Sequence, residues 1–551
     1  RIQNLSPREL QGCIKELEAC YADFDEIWLF SALSHWVNMT LKEPQQLYDR
    51  MTKVGAEIEK KLAFFDLEVG RLVYSKPEII DELPLKEYKH VLEKLRREVP
   101  HQLSEAEEQI IIEKDQFGID AWQRLQRKWL NTRMFKVVVE GKRKSLSYSE
   151  ANGLLTHPDR DTRESASKSI YSLLDKDGEI FSAALRNICN DWVNVCNRRK
   201  YSSPMHASLI YNDIDPKPIE SLLEAVEKHV DLYQRYLRLK ARIMDLPKLG
   251  CHDIAAPLPD APKTRYDYDR AKTLVIEAFN NFDAEYSHAV RDMFARRHID
   301  ATPRFGKRNG AGCADWYTGK SAFVLCNFNQ RLDDVYALAH ELGHATHSYY
   351  SERNQTILNT QPSLLIAETA SKFGELLLTD LLISKAESAI EKKTILCRGL
   401  DAAGITIFQV TARAWFEQNL YQAIEKGEYL DYETICRYWE AARSKIYGET
   451  VDWFREMKAE WTMKPHYYRP NFRFYNYPYV YAQLFVFALY QEHLNRGREF
   501  MPKFKRALSS GSAISPVEIG KMVDQQVTSP DFWKQGLNQY EHFIEELEKV
   551  S

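Results

Sequence analysis

Apolar residues recur at three- and four-residue spacing over most of the chain, which predicts amphipathic helices with one buried face. Glycine and proline number only 22 and 21 in 551 residues, so few positions interrupt these segments. The fold class is therefore mainly α. Ser6-Pro7-Arg8-Glu9 marks a helix start: the serine caps, the proline occupies the first turn, and the glutamate reaches back. Helical patterning then runs to about residue 200, with breaks near Pro77, Pro84 and Pro100 and a turn at His157-Pro158-Asp159. Asp215-Pro216-Lys217-Pro218 opens a second series, predicted as one long helix through Met244. The proline-rich segment 246–262 reads as a surface loop between lobes, and 266–297 is helical again. These breaks predict an N-terminal helical lobe, residues 1–200, and a second lobe, residues 201–551.

Residues 303–330 differ from the rest. They are glycine-rich and lead into Ser321-Ala322-Phe323-Val324-Leu325-Cys326, a β-prone run that predicts a small sheet. From Pro362 the pattern is helical through about Tyr447, with 405–423 apolar enough to be buried. The last helices are predicted at 516–526 and 530–549.

Immediately after the predicted sheet comes His340-Glu341-Leu342-Gly343-His344, flanked by Val335, Leu338, Ala339, Leu342 and Ala345 at helical spacing. Asp333 and Asp334 stand near the start of this helix, where carboxylates suit its dipole. Positions four apart differ by about 40° and rise about 6 Å, so both imidazoles leave one face and can close on one ion. Glu341 follows the first ligand and can reach a water at the metal rather than the metal itself. The plain alternative is a chance match on an amphipathic helix.

A catalytic site of this type needs a third protein ligand. His347 shares the face of His340 but lies about 10 Å further along the axis, so it reads as a supporting or core histidine. Glu368 is the better candidate. It falls in the apolar helical pattern 364–375, where an unpaired carboxylate would be costly. Glu375, seven residues on and nearly on the same face, suits a hydrogen bond to a ligand imidazole. The competing reading makes one of these two an exposed helix glutamate. Two imidazoles and a carboxylate favour zinc as the cofactor, with cobalt or manganese able to substitute.

At these residues the chain resembles the oligoendopeptidase F and thimet oligopeptidase family of zinc peptidases. The likeness is carried by His340-Glu341-Leu342-Gly343-His344-Ala345 and Ala367-Glu368-Thr369-Ala370-Ser371. Gly310-Ala311-Gly312-Cys313 and Asn327-Phe328 add to it, and Tyr475-Asn476-Tyr477-Pro478-Tyr479 resembles the oligoendopeptidase F branch. The resemblance covers roughly residues 205–500 and implies two helical lobes around a deep substrate channel, as in neurolysin, with the sheet beside the metal helix. It further implies an edge strand that pairs with substrate backbone, an ordinary structural hairpin being the alternative, and internal cleavage of short, unstructured peptides. A late loop in this family supplies a histidine and tyrosines to the oxyanion. By motif these are His466 and Tyr479, with Tyr477 and Tyr481 behind them. The thimet branch has a glycine-rich loop here, where this chain has Asn476-Tyr477-Pro478.

That late loop belongs to 465–481, which carries six tyrosines with Arg469 and Arg473 interleaved. Such a stretch could stack nucleic-acid bases. A net charge of -4 with no wider basic patch argues against a nucleic-acid partner, and an aromatic core cluster is the simpler alternative. Hydrophobic and charged contents of 44% and 28% are those of a water-soluble protein. The densest apolar run, 484–490, is too short to cross a membrane. Nine cysteines without paired spacing suggest free thiols in a reducing, cytoplasmic setting, although a chain opening at Arg1 leaves room for a removed leader. Two rival functions are a peptidase trimming C-terminal residues or dipeptides, and a catalytically silent peptide-binding scaffold. A scaffold has no need of Glu341 beside the metal.

Overall fold

The computed structural model describes residues 2–262, 264–469 and 472–551; Pro470 and Asn471 of the aromatic stretch lie outside them. The protein is mainly α, as its periodicity predicts. The first helix, Pro7–Val37, starts on the expected capping box, Ser6 and Glu9 satisfying each other's backbone N–H. It packs against Lys42–Ser75, and the apolar stripes of the two close over Leu85, Tyr88 and Leu92. A second, larger apolar cluster runs from Ile119 to Leu547.

Several predicted helices are interrupted. The segment expected to run from Pro216 through Met244 is two helices, Pro216–Lys228 and Val230–Ile243, separated where His229 leaves helical geometry at φ -125°. The segment 266–297 likewise breaks at the extended residue Asp283, and the helix predicted over 516–526 ends at Met522. An antiparallel hairpin, Phe135–Val139 with Lys142–Leu146, stands inside the N-terminal region read as helical. Its first strand alternates buried and exposed residues, and the two-residue turn Glu140-Gly141 takes positive φ at both positions. That is the geometry whose twist suits a tight hairpin.

The predicted sheet is present. Ser321–Leu325 is its central strand, parallel to Ile299–Asp300 and antiparallel to Gly312–Trp316, with Gly312 opposite Leu325 and Trp316 opposite Ser321. Gly312–Trp316 is one of its two edge strands. From the sheet the chain enters the motif helix, Leu332–Asn354, whose start is held by Asp334, its carboxylate accepting from the backbone N–H of Arg331 and of Asn329 at 2.9 Å.

The continuous helical run Ala389–Glu425 is long and apolar enough to match a membrane span by composition, which the run at 484–490 does not. Sixty-one per cent of its most apolar window is buried inside the protein, so its hydrophobicity serves the core.

Candidate metal centre and active site

The motif helix packs closely on Thr369–Lys385, and two glycines allow the approach. A Cβ on Gly343 would fall 2.5 Å from the Ala370 carbonyl oxygen and from Ser371 Cα. One on Gly374 would fall 3.0 Å from the Ala339 carbonyl oxygen. The sequence therefore brings the second helix's backbone against the turn that carries the imidazoles. Glu368 stands at the junction of the short helix Leu364–Ala367 with this one, at φ -85° and ψ 2°.

The result is a convergent donor set. Nε2 of His340 and Nε2 of His344 lie 3.2 Å apart, and Oε2 of Glu368 is 3.4 Å from the first and 3.6 Å from the second. Metal–ligand bonds of about 2.0–2.2 Å at tetrahedral angles place donors about 3.3–3.6 Å apart, so the three residues fit a single ion.

Neighbouring groups hold this set. Glu375 Oε1 is 2.7 Å from His340 Nδ1 and accepts a second bond from Lys372 Nζ at 2.9 Å. Burial works against charge on Glu375, but Lys372 and His340 outweigh it and hold the carboxyl down at about 2. An ionised Glu375 can only accept, so His340 donates from Nδ1 and directs the lone pair of Nε2 at the ion site. Burial also lowers His344, while in His340 the Glu375 bond overcomes burial and raises it. Glu368 is lowered by both imidazoles against the effect of burial, and its Oε2 accepts from Ser371 Oγ at 2.7 Å. Ser371 and Lys372 were missed in the sequence, although both lie within one turn of Glu368.

Glu341 is buried, and burial raises its carboxyl to about 7, with Glu368 and Glu375 adding to the effect and His340 opposing it. His347 is buried and held neutral, near 4, and the Ala367 backbone accepts from it beside Glu368. It is not part of the converging donor set.

The late aromatic residues divide. His466 stacks on Tyr475 at 5.3 Å and meets Tyr479 edge-on at 6.5 Å, while Tyr475 and Tyr479 are 5.2 Å apart. Burial, then Arg469, Arg413 and Lys464, lower His466 to about 4, so its ring stays neutral. Burial and the Tyr475 hydroxyl keep Tyr479 protonated, and the charge of Glu368 reaches it as well. Tyr475, passed over in the sequence, is the ring that joins the other two. Tyr477 is not brought to this cluster. Its buried hydroxyl donates to the Ser208 carbonyl at 3.1 Å and accepts from Asn212 Nδ2 at 3.0 Å. Tyr481 is buried against Phe485 and Trp533.

A run of cavities leads away from the donor set. The first, about 370 Å³, is walled by Glu341 and His344 and shares Gln361 and Pro362 with a second of about 270 Å³. Lys94 and Tyr211 join that one to a third of about 300 Å³, and Glu98 and Tyr211 join the third to a fourth of about 340 Å³. The N-terminal helices supply part of these walls. A larger depression of about 780 Å³ beside Lys168 and Lys176 shares no residue with this run.

The protein is mainly helical, and a helix carrying two imidazoles meets a carboxylate of its neighbour in a group that could hold a metal ion. The chain belongs to peptidase family M3, whose profile matches residues 154–539, and an oligopeptidase F profile matches residues 78–130. It is 26% identical over 533 residues to the group B oligopeptidase PepB of Streptococcus agalactiae, covering 96% of this chain and 87% of that one. Against oligopeptidase PepF of Bacillus subtilis the identity is 25% over 475 residues, 86% of this chain and 70% of the relative. A crystal structure from Chlamydophila abortus shares the fold at TM-score 0.92 and 23% identity, covering 100% of this chain and 92% of that chain. Oligoendopeptidase F from Enterococcus faecium shares it at TM-score 0.74 and 23% identity, covering 100% and 94%. The protein is thus a peptidase of the oligopeptidase type, with peptides as its substrates.

Proposed function

We propose that the protein is a zinc-dependent oligoendopeptidase that hydrolyses internal bonds of short, unstructured peptides. The observation that carries this reading is the convergence of His340, His344 and Glu368 with Glu341 buried beside them. When bound, zinc supplies Lewis acidity, polarising the scissile carbonyl and making water easier to deprotonate. Glu341 takes the proton from the attacking water and delivers it to the leaving amine. Burial strengthens it as a base, since a desolvated carboxylate takes up a proton more readily than an exposed one. His466 and Tyr479 donate to the developing oxyanion, from a neutral imidazole and a protonated phenol. Tyr477 is left to the scaffold, because Ser208 and Asn212 already engage its hydroxyl. His347 steadies the Ala367-Glu368 turn from behind.

The edge strand Gly312–Trp316 offers backbone groups to an extended peptide, which would make binding tolerant of sequence. The N-terminal lobe, residues 1–200, walls the channel and excludes folded proteins. The nine cysteines are all unpaired, which supports a cytoplasmic setting. The test is cleavage of an internally quenched peptide with a blocked C-terminus. Chelator-sensitive internal cleavage is expected. Cleavage only of peptides with a free C-terminus would replace this reading with C-terminal trimming, and no cleavage of either would leave a binding scaffold.

A further inference from the structure

The cavity of about 370 Å³ beside Glu341 and His344 has an acidic far wall that the proposed chemistry does not use. Asp315, from the edge strand, and Glu352, near the end of the motif helix, both line it. Glu352 is only 2% exposed, yet among the described residues neither carboxylate oxygen has a hydrogen-bond partner. Its nearest cations are committed elsewhere. Lys320 Nζ sits 3.5 Å over the Tyr317 ring, and the Arg353 guanidinium 3.6 Å over Tyr349. An unpaired buried carboxylate is costly, and this one also faces the repulsion of Asp315. Burial, then Asp315, push the Glu352 carboxyl up to about 8, and the same causes push Asp25, on the covering first helix, to about 6.

Carboxyl groups without a counter-cation therefore surround an empty space next to the proposed reaction centre, and Glu352, held protonated there, would ionise once a cation entered. The cavity does not gather metal donors: among the described residues the single convergent His/Cys/Asp/Glu group is His340, His344 and Glu368. A long, narrow cation meets these requirements better than a compact ion. Asp315 keeps capacity for it, although Gln361 Nε2 donates to it at 2.6 Å and Ser348 Oγ also bonds to it.

We propose that this cavity is a side-chain subsite for a lysine or arginine of the peptide substrate, with Glu352 and Asp315 as the specificity-determining residues. The proposal rests on the peptidase reading above. Peptides identical except for one position, lysine or arginine against norleucine or citrulline, would be scanned on both sides of the cleaved bond, with products located by mass spectrometry. The wild-type protein is expected to prefer the cationic member at one position. Glu352→Gln should lower kcat/KM for that member by roughly 10- to 100-fold, the range for losing a hydrogen bond to a charged group, while the norleucine peptide stays within about threefold. Asp315→Asn should act in the same direction.

Retained cleavage of the norleucine peptide shows that the variants fold and that the reaction centre works. A wild-type protein without cationic preference, or a Glu352→Gln protein that keeps it, overturns the subsite. If no peptide is cleaved, the reaction centre was misread. Anisotropy of labelled lysine and norleucine peptides with chelator present then decides the subsite alone: a preference lost in Glu352→Gln supports it, and equal binding overturns it.

Discussion

Glu375 Oε1 meets His340 Nδ1 at 2.7 Å, on the ring nitrogen that does not face His344 and Glu368. This bond sets which nitrogen carries the proton and which way the free lone pair points. Lys372 holds the carboxylate from the other side. Glu375→Gln should therefore weaken metal binding by roughly 10- to 100-fold, the usual effect of losing such a support. Titration against a metal buffer, followed by metal content, would show it; unchanged affinity would mean that packing alone orients His340.

Glu341→Gln keeps the size of the side chain but cannot take up the proton. Full metal occupancy with turnover lowered by roughly 10²- to 10⁴-fold is expected. Metal analysis beside single-substrate kinetics separates this from Glu368→Ala, which should lose the ion itself. Activity retained in Glu341→Gln would remove it as the base.

Gly343→Ala tests whether helix proximity builds the centre. The new Cβ would meet the Ala370 carbonyl oxygen and Ser371 Cα at 2.5 Å, and both are backbone atoms that cannot rotate away. Separation of the helices should cost about 1–3 kcal/mol and draw Glu368 off the imidazoles. Thermal melts and metal titration report the two effects. Gly12→Ala is the control, because nothing stands within 4 Å and the Pro7–Val37 helix should gain stability.

The two candidate tyrosines should separate by measurement. Tyr479→Phe is expected to lower kcat by roughly 10-fold or more at unchanged metal content, as loss of an oxyanion donor does. Tyr477→Phe should leave kcat near wild type and lower the melting temperature, since Asn212 and the Ser208 carbonyl each lose one of their partners. The reverse result would exchange their roles.

Glu417 gives a pH signature in stability rather than in chemistry. It is buried, accepts from the Phe474 N–H at 2.8 Å and from Asn476 at 3.2 Å, and burial pushes its carboxyl up from 4.5 to about 7. Between those values the folded state holds the proton more tightly, so the unfolded state binds fewer and stability falls as pH rises. The penalty is absent below 4.5 and complete above 7. Melting temperatures of Glu417→Gln should therefore gain on the wild type as pH rises through this window, and parallel curves would remove the effect.

Helix content, the small sheet and the His-Glu-x-x-His face were legible along the chain because each depends on neighbours within one or two turns. The capping box at Ser6 and the β-prone run at 321 are local in the same way. Glu368 and Glu375 could be picked out because a carboxylate in an apolar helical pattern needs a partner. The hairpin at Phe135 was missed because its alternation is short and surrounded by helical periodicity. Nothing local indicated that Tyr477 turns to Ser208 and Asn212, more than 260 residues earlier. The chain order also hid the unpaired carboxylate of Glu352, whose nearby cations are taken by aromatic rings. Periodicity determines which residues share a face, since it follows from the backbone's own geometry. Which faces meet, and which buried charges go without partners, is decided only when Gly343 and Gly374 let two helices close and distant segments, the edge strand and residues 360–362 among them, wall the cavity beside the motif helix.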